Sequence, residues 1–410
     1  MYLREGNPRL KFIGDMMLNI MASSLPIILL NLLIYPMVAG HVGANTYGTL
    51  TVCVGIQNFA NGIWGSSVAY TRLLNLKQEK EQSFSLLFLI NLFGGLITSV
   101  LMAWLTGCMK EGVNMPLLVL SEFFLIANNY LIVEFRLKLS YIKIFITNIS
   151  SCIGYLTGYG ILFVTGFQYW EIIFVAGYGM AFVYNLCSTS IWKQKLAMAP
   201  GFKSLLKDTN VLVATSAISG VSTYLDKLVI YPYLGAESMA YYQTASIISK
   251  VIPMLATSVS NVMLSYLVKI KGLSKKVLSI CVAALFVLCA IGLLLCGMTV
   301  PVMIRFFYPD FYEGCIGLVF WANCIAMLQM FYTFISPVTL RYAERNMQYV
   351  IQIGRLAPYL LLTAWLVREH RLLGFCYATI ISQIIQNMIM LIICFKAIGG
   401  RKNSEPVSGN

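Results

Sequence analysis

Apolar runs of about 20 residues recur along the chain, separated by short polar stretches. A hydrocarbon core about 30 Å thick needs about 20 helical residues at 1.5 Å each. On that measure, spans fall near residues 16–38, 48–70, 84–107, 116–133, 144–166, 170–192, 210–234, 239–268, 277–300, 314–336, 347–367 and 372–395. The pattern predicts an all-α integral membrane protein of about twelve transmembrane helices. The loops are short, the longest lying around residues 193–209. No extramembrane domain is expected to house soluble chemistry.

Charge orients the chain. Of its 29 Lys and Arg residues, 22 lie in the termini and alternate loops of one side, while the opposite loops hold only Lys110, Arg305, Arg368 and Arg371. Cytoplasmic loops carry such an excess, so both termini are expected in the cytoplasm and the span count is expected to be even. Composition agrees, at 59% apolar and 11% charged, with a mean hydropathy of +0.77; a soluble domain carries about 25% charged residues. The net charge of +13 would suit a nucleic-acid binder only if the cations shared one water-facing surface. Here they sit in clusters between apolar runs, and no nucleic-acid partner is expected. The eleven cysteines lie mostly inside apolar runs, with no CxxC pair, and read as small apolar fillers. The first apolar run, about 23 residues, is long for a signal peptide and no A-x-A-like site follows it, so it is expected to stay as a helix.

An internal repeat is visible. The first span ends Ile34-Tyr35-Pro36, followed by Gly43-Ala44-Asn45-Thr46-Tyr47-Gly48. The seventh ends Ile230-Tyr231-Pro232, followed by Gly235-Ala236-Glu237 and then Tyr241-Tyr242. The offset is close to half the chain and predicts two pseudo-symmetric six-helix halves, 1–200 and 201–410, the second with a short cytoplasmic tail. Transporters built this way place their substrate site near the interface of the repeats.

Few ionisable residues fall inside the spans. A charge at a helix centre costs about 2.5–3.5 kcal/mol on insertion scales and normally faces a cavity or a partner. Asp226 and Lys227 are neighbours in the outer half of the seventh span; Lys250 lies in the eighth, Arg355 in the eleventh and Glu122 in the fourth. Gln243, Ser246, Lys250, Thr257 and Asn261 recur at helical intervals in the eighth span, as do Gln348, Gln352 and Arg355 in the eleventh. Asn58, Asn61, Gly65 and Arg72 form a stripe on the second span, and Asp15, Asn19 and Ser23 a shorter one on the first. Several striped helices predict a hydrated cavity, and its deep cations favour a negatively charged substrate group. Plainer readings stay open. Asp226 and Lys227 could pair locally, Lys250 could snorkel, and the Asn and Gln stripes could bridge helices at about 0.6 kcal/mol per contact. Enzyme chemistry finds little support: His41 and His370 are the only histidines and lie in different outward loops, and no HxxxD or HExxH spacing occurs. No cofactor or metal is expected.

The stretch Leu33-Ile34-Tyr35-Pro36 with Gly43-Ala44-Asn45-Thr46-Tyr47-Gly48-Thr49-Leu50 resembles the first helical hairpin of polysaccharide flippases. So does Asp226-Lys227-Leu228-Val229-Ile230 followed by Leu234-Gly235-Ala236 and Tyr241-Tyr242. These are the Wzx-type O-antigen and exopolysaccharide translocases of the multidrug/oligosaccharidyl-lipid/polysaccharide (MOP, MATE-like) exporter superfamily. The likeness covers the whole chain in span count, loop length and topology, although the second Gly-Ala turn lacks a Gly after its Tyr. It implies movement of an undecaprenyl-diphosphate-linked oligosaccharide from the inner to the outer leaflet of a bacterial inner membrane. The lipid tail would stay in the bilayer. Lys227, Lys250 and Arg355 would meet the diphosphate and sugars, with Arg72 at the cytoplasmic mouth and Asn58, Asn61 and Gln352 beside them. Asp226, Asp15 and Glu122 are candidates for coupling an ion. The resemblance also allows a polysaccharide polymerase or chain-length regulator as partner. The alternative is a cation-coupled multidrug antiporter of the same superfamily; a lipid-linked sugar polymerase or ligase stands further off, and a peptidoglycan lipid flippase fits less well because the chain is short.

Overall fold

The computed structural model describes residues 8–74, 84–190, 201–247, 249–253, 256–257, 259–260, 263, 273–343 and 345–401. Every element among them is helical. Helix α1 (Pro8–Leu29) passes through a π-helical turn (Leu30–Ile34) into α2 (Tyr35–Ala60), and a second π-helical turn (Asn61–Gly65) leads to α3 (Ser66–Leu74). There follow α4 (Ser85–Thr106), α5 (Met115–Leu137), α6 (Tyr141–Thr165), α7 (Ile172–Ser188) and α8 (Phe202–Ser246). The chain closes with α9 (Lys275–Phe307), α10 (Tyr312–Tyr342) and α11 (Arg345–Arg401). Among the described residues, six stretches are long and apolar enough to cross a membrane: Met21–Leu73, Ser85–Thr106, Met115–Leu137, Lys275–Phe307, Pro309–Tyr342 and Met347–Ile398.

Most helices outrun the apolar runs that announce them. Helix α9 begins at Lys275, where the Ser274 hydroxyl accepts from the Val277 N–H at 3.2 Å; α5 begins under a similar Asn114 cap. Such caps satisfy amide groups that the first turn leaves without partners. The longest helices are broken at single residues. Gly43 (φ 78°, ψ 171°) divides α2, and Gly235 (φ 87°, ψ 173°) divides α8. That region of backbone space is open essentially to glycine alone. The two Gly-Ala turns of the sequence repeat therefore share one backbone conformation. Arg371 (φ 48°, ψ −123°) breaks α11.

The chain forms two compact units, Met1–Met239 and Ala240–Asn410. In the first, Val68, Phe84, Leu87, Ile126, Tyr130 and Leu205 join α3, α4, α5 and the start of α8 in one apolar cluster. In the second, Leu278, Leu285, Phe331, Ile335, Ile351 and Met390 join α9, α10 and both parts of α11. Helix α9 turns its other side outward, with Phe286, Leu294, Met298, Val302 and Phe306 each at least 68% exposed. Hydrocarbon solvates such a face as well as protein would.

Candidate functional site

In the first unit α8 lies along α2, and the contacts follow one face of each helix. The Gly48 Cα lies so close to the Ala236 carbonyl that a Cβ there would overlap it. One turn deeper, the Thr49 hydroxyl and the Tyr231 phenol share a hydrogen bond of 3.1 Å. The Lys227 stem then crosses α2 at Gly55, where a Cβ would occupy the space of its Cδ. Below it, the Tyr224 and Phe59 rings meet edge to face at 6.1 Å. Lys227 Nζ ends 3.6 Å from Asp226 Oδ2 and 5.7 Å above the Tyr224 ring, with the two charged side chains 13% and 11% exposed. Gly55 and Tyr224 thus frame the lysine, and neither was singled out by the sequence pattern. A glycine seven residues after Gly48 was the available signal.

Deeper along the same helices, Asn61 sits in the second π-helical turn and its Oδ1 accepts from Asn129 Nδ2 at 2.7 Å. Asn58 is half-buried one turn away. Arg72, expected at a cytoplasmic mouth, is only 1% exposed. Its guanidinium stacks 5.3 Å over the Tyr130 ring and reaches the Tyr130 carbonyl at 3.5 Å. The long apolar stem and the cation–π contact favour this covered position over the open one. Glu122 is fully buried on α5. Among the described residues its carboxylate oxygens make no hydrogen bond of normal geometry, and the Ser99 hydroxyl of α4 is the polar group beside it. Nearby on α5, Ser121 receives a bond from Gln57 of α2. Asp15 belongs to α1, but its side chain, like that of Asn19, lies outside the described part of the protein, as does Asn261.

In the second unit the spacing of the polar stripes is realised as contacts. Helix α8 stops at Ser246, Ile247, Ser249 and Lys250 are in turns, and Val251–Pro253 is helical again. Pro253 explains part of this break, since it lacks the N–H that would bond the Ser249 carbonyl one turn back. Lys250 Nζ reaches back one full stripe interval to Gln243 Oε1 at 3.4 Å and stands 5.1 Å over the Tyr242 ring. On α11, Gln352 Nε2 donates to the Tyr332 phenol at 2.9 Å, and Arg355 Nη1 donates to Gln329 Oε1 at 3.4 Å. Gln329 and Tyr332, three residues apart on α10, complete this ladder. Their spacing was visible in the sequence, but not their partners.

The chemistry offered is binding rather than bond breaking. Lys250 and Arg355 each meet a neutral amide, which orients the cation. A lysine presents a point charge, and an arginine a fork matched to phosphate or carboxylate oxygens.

No protein-family model matches the sequence, and no curated protein matches it. Solved structures do. The lipid II flippase MurJ in an inward closed conformation aligns over 94% of this chain and 86% of its own, at 17% identity and a TM-score of 0.66. An inward-facing multidrug resistance MATE transporter of the MOP superfamily aligns over 95% and 100%, at 15% identity and a TM-score of 0.69. A MATE protein in the bent conformation aligns over 97% of each chain, at 13% identity and a TM-score of 0.58. The chain has the fold of MOP-superfamily transporters. At these identities the likeness is one of architecture, and with the apolar helices it makes this a multi-pass membrane protein.

Proposed function

We propose that the protein is a MOP-superfamily transporter that carries a lipid-diphosphate-linked oligosaccharide from the inner to the outer leaflet of a bacterial inner membrane, for surface-polysaccharide assembly. It would cross the membrane twelve times in two six-helix halves, 1–200 and 201–410, with both termini cytoplasmic. The breaks at Gly43 and Arg371 support that count, because each divides an apolar helical stretch of over 50 residues into segments of single-crossing length. The 22-to-4 division of Lys and Arg supports the orientation.

The observation that carries the reading is the interruption of the eighth span at Lys250. Irregular backbone at membrane depth is tolerated where it lines a cavity or is packed in protein, and substrate sites in transporters use such discontinuous helices. Lys250 and Arg355 would meet the diphosphate, and Gln352 the sugars. The test uses cells lacking the protein, re-supplied with wild type, Lys250→Gln or Arg355→Gln at equal membrane levels. An impermeant sugar-modifying enzyme outside spheroplasts reports lipid-linked oligosaccharide in the outer leaflet. Wild type is expected to restore accessibility and both variants to lose it. Accessibility that never depends on the protein would overturn the reading.

A cation-coupled antiporter is the second reading, favoured by Glu122. Burying a carboxyl group without a partner is costly, and a bound cation or proton would supply one. Glu122→Gln should then abolish ion-dependent efflux of a lipophilic cation from proteoliposomes; efflux unchanged in that variant argues against Glu122 as the coupling site.

A further inference from the structure

The cysteines do not all sit alike. Cys289 and Cys315 turn their thiols to the Met327 and Tyr312 carbonyls, each at 3.6 Å. Cys53 and Cys108 turn theirs to each other, in hydrogen-bonding contact. Cys53 lies on α2, and Cys108 opens the 3-10 turn Cys108–Glu111, which follows α4 and packs against α2. Gly107 (φ 85°) and Gly112 bracket this turn, both in the left-handed region that glycine enters freely. Cys108 is thereby folded inward and buried, while Met109, Lys110 and Glu111 stay exposed. Two further hydrogen bonds meet at Cys108 Sγ, from the Thr106 hydroxyl at 3.2 Å and from the Tyr231 phenol. Tyr231 also bonds Thr49 at 3.1 Å, one turn before Cys53 on α2, so the crossing of α2 and α8 brings all these groups together.

The two thiols are therefore unequal. Hydrogen bonds, the one from Cys53 foremost, hold the Cys108 thiol below its ordinary pKa against the raising effect of burial. A thiol that ionises readily beside a second thiol can attack a disulfide and then be resolved by its neighbour. We propose that Cys108 and Cys53 are a redox pair that closes to a disulfide by exchange with a small-molecule disulfide. The Cys108 thiolate attacks one sulfur of the oxidant, and the other sulfur leaves as a thiol. The Cys53 thiol then loses its proton and attacks Cys108 Sγ, releasing the second thiol. The pair gives up two protons and two electrons, and the two thiols made from the oxidant take them up. Cys108 is reached when its turn lifts between the two glycines; an exposed turn opens locally at far less cost than a packed helix. The bond ties α2 to the connection between α4 and α5. Every group involved belongs to the first unit, and the exchange is independent of the transport reading and of orientation in the membrane.

The experiment uses the whole protein in lipid nanodiscs, incubated with oxidised glutathione or with dithiothreitol, quenched in acid, unfolded, alkylated and digested. Mass spectrometry is expected to find a linked Cys53–Cys108 peptide pair, two hydrogens lighter than the reduced pair, at least tenfold more abundant after glutathione than after dithiothreitol. Thermal unfolding of the oxidised protein should move to higher temperature. Two variants separate the roles of the thiols. Cys53→Ser keeps the attacking thiol and should hold glutathione on Cys108 as a mixed disulfide, whereas Cys108→Ser should hold none on Cys53. Neither variant should gain thermal stability from the oxidant. Cys53 and Cys108 alkylated to the same extent with either reagent in wild type would overturn the proposal. Glutathione held on Cys53 in Cys108→Ser, with none on Cys108 in Cys53→Ser, would overturn the assignment of Cys108 as the attacking thiol.

Discussion

Lys227 in the first unit and Lys250 in the second both fall in stretches that the sequence pattern expects to span the membrane, and they are held in opposite ways. Lys227 rises from continuous helix, lies across Gly55, and ends beside Asp226 at 3.6 Å with both side chains largely covered. Lys250 stands at an interruption of its helix and meets the neutral Gln243 amide and the Tyr242 ring. The first arrangement matches charge locally and fixes the side chain. The second holds a cation against a neutral amide and the face of a ring. Their immediate contacts, rather than their places in the sequence, distinguish the two lysines.

The largest expected effect comes from closing the room that the first arrangement needs. Gly48→Leu would drive a side chain into the Ala236 backbone, and overpacking costs about 1–3 kcal/mol or more. Thermal unfolding of the detergent-solubilised protein should show the loss, with Gly55→Leu next in size because the flexible Lys227 stem can yield. Breaking the Asp226–Lys227 pair from one side comes next. Lys227→Met should cost about 1–3 kcal/mol, since it takes the ammonium group away from a covered carboxylate. The double variant Asp226→Asn with Lys227→Met should recover much of that loss; a double variant as unstable as the sum of the singles would refute the local pairing. Smaller still, Gln352→Leu should cost about 1 kcal/mol through the lost Tyr332 bond. Lys250→Gln should be the mildest for stability, within about 1 kcal/mol, while its transport falls at least tenfold. A variant that unfolds and transports in proportion would erase the contrast between the two lysines.

The sequence carried the helices well because each must satisfy its own backbone hydrogen bonds in lipid, which turns hydropathy into architecture. The repeat was legible for a related reason. Only glycine adopts the dihedrals at Gly43 and Gly235, and a glycine flanked by Ala at both places left a readable mark. Spacing also placed Lys250 with Gln243, and Gln352 beside Arg355, since a stripe interval is a property of one helix. Partners on other helices were not legible. Nothing in the sequence pairs Gln329 with Arg355 or Gly55 with Lys227, because those contacts depend on how helices cross. Arg72 shows the same limit from the other side. Its place next to a basic loop marked it as solvent-facing, yet Tyr130, 58 residues away, covers it.

The most direct measurement reconstitutes the purified protein in proteoliposomes loaded with a fluorescent lipid-diphosphate-linked oligosaccharide and follows its arrival in the opposite leaflet by impermeant quencher. Wild type should move the lipid at least tenfold faster than empty liposomes. Lys250→Gln, folded and inserted to the same degree, should fall to the background rate. Wild type no faster than empty liposomes would contradict the flippase account, and a Lys250→Gln variant as fast as wild type would contradict the placement of its anion site.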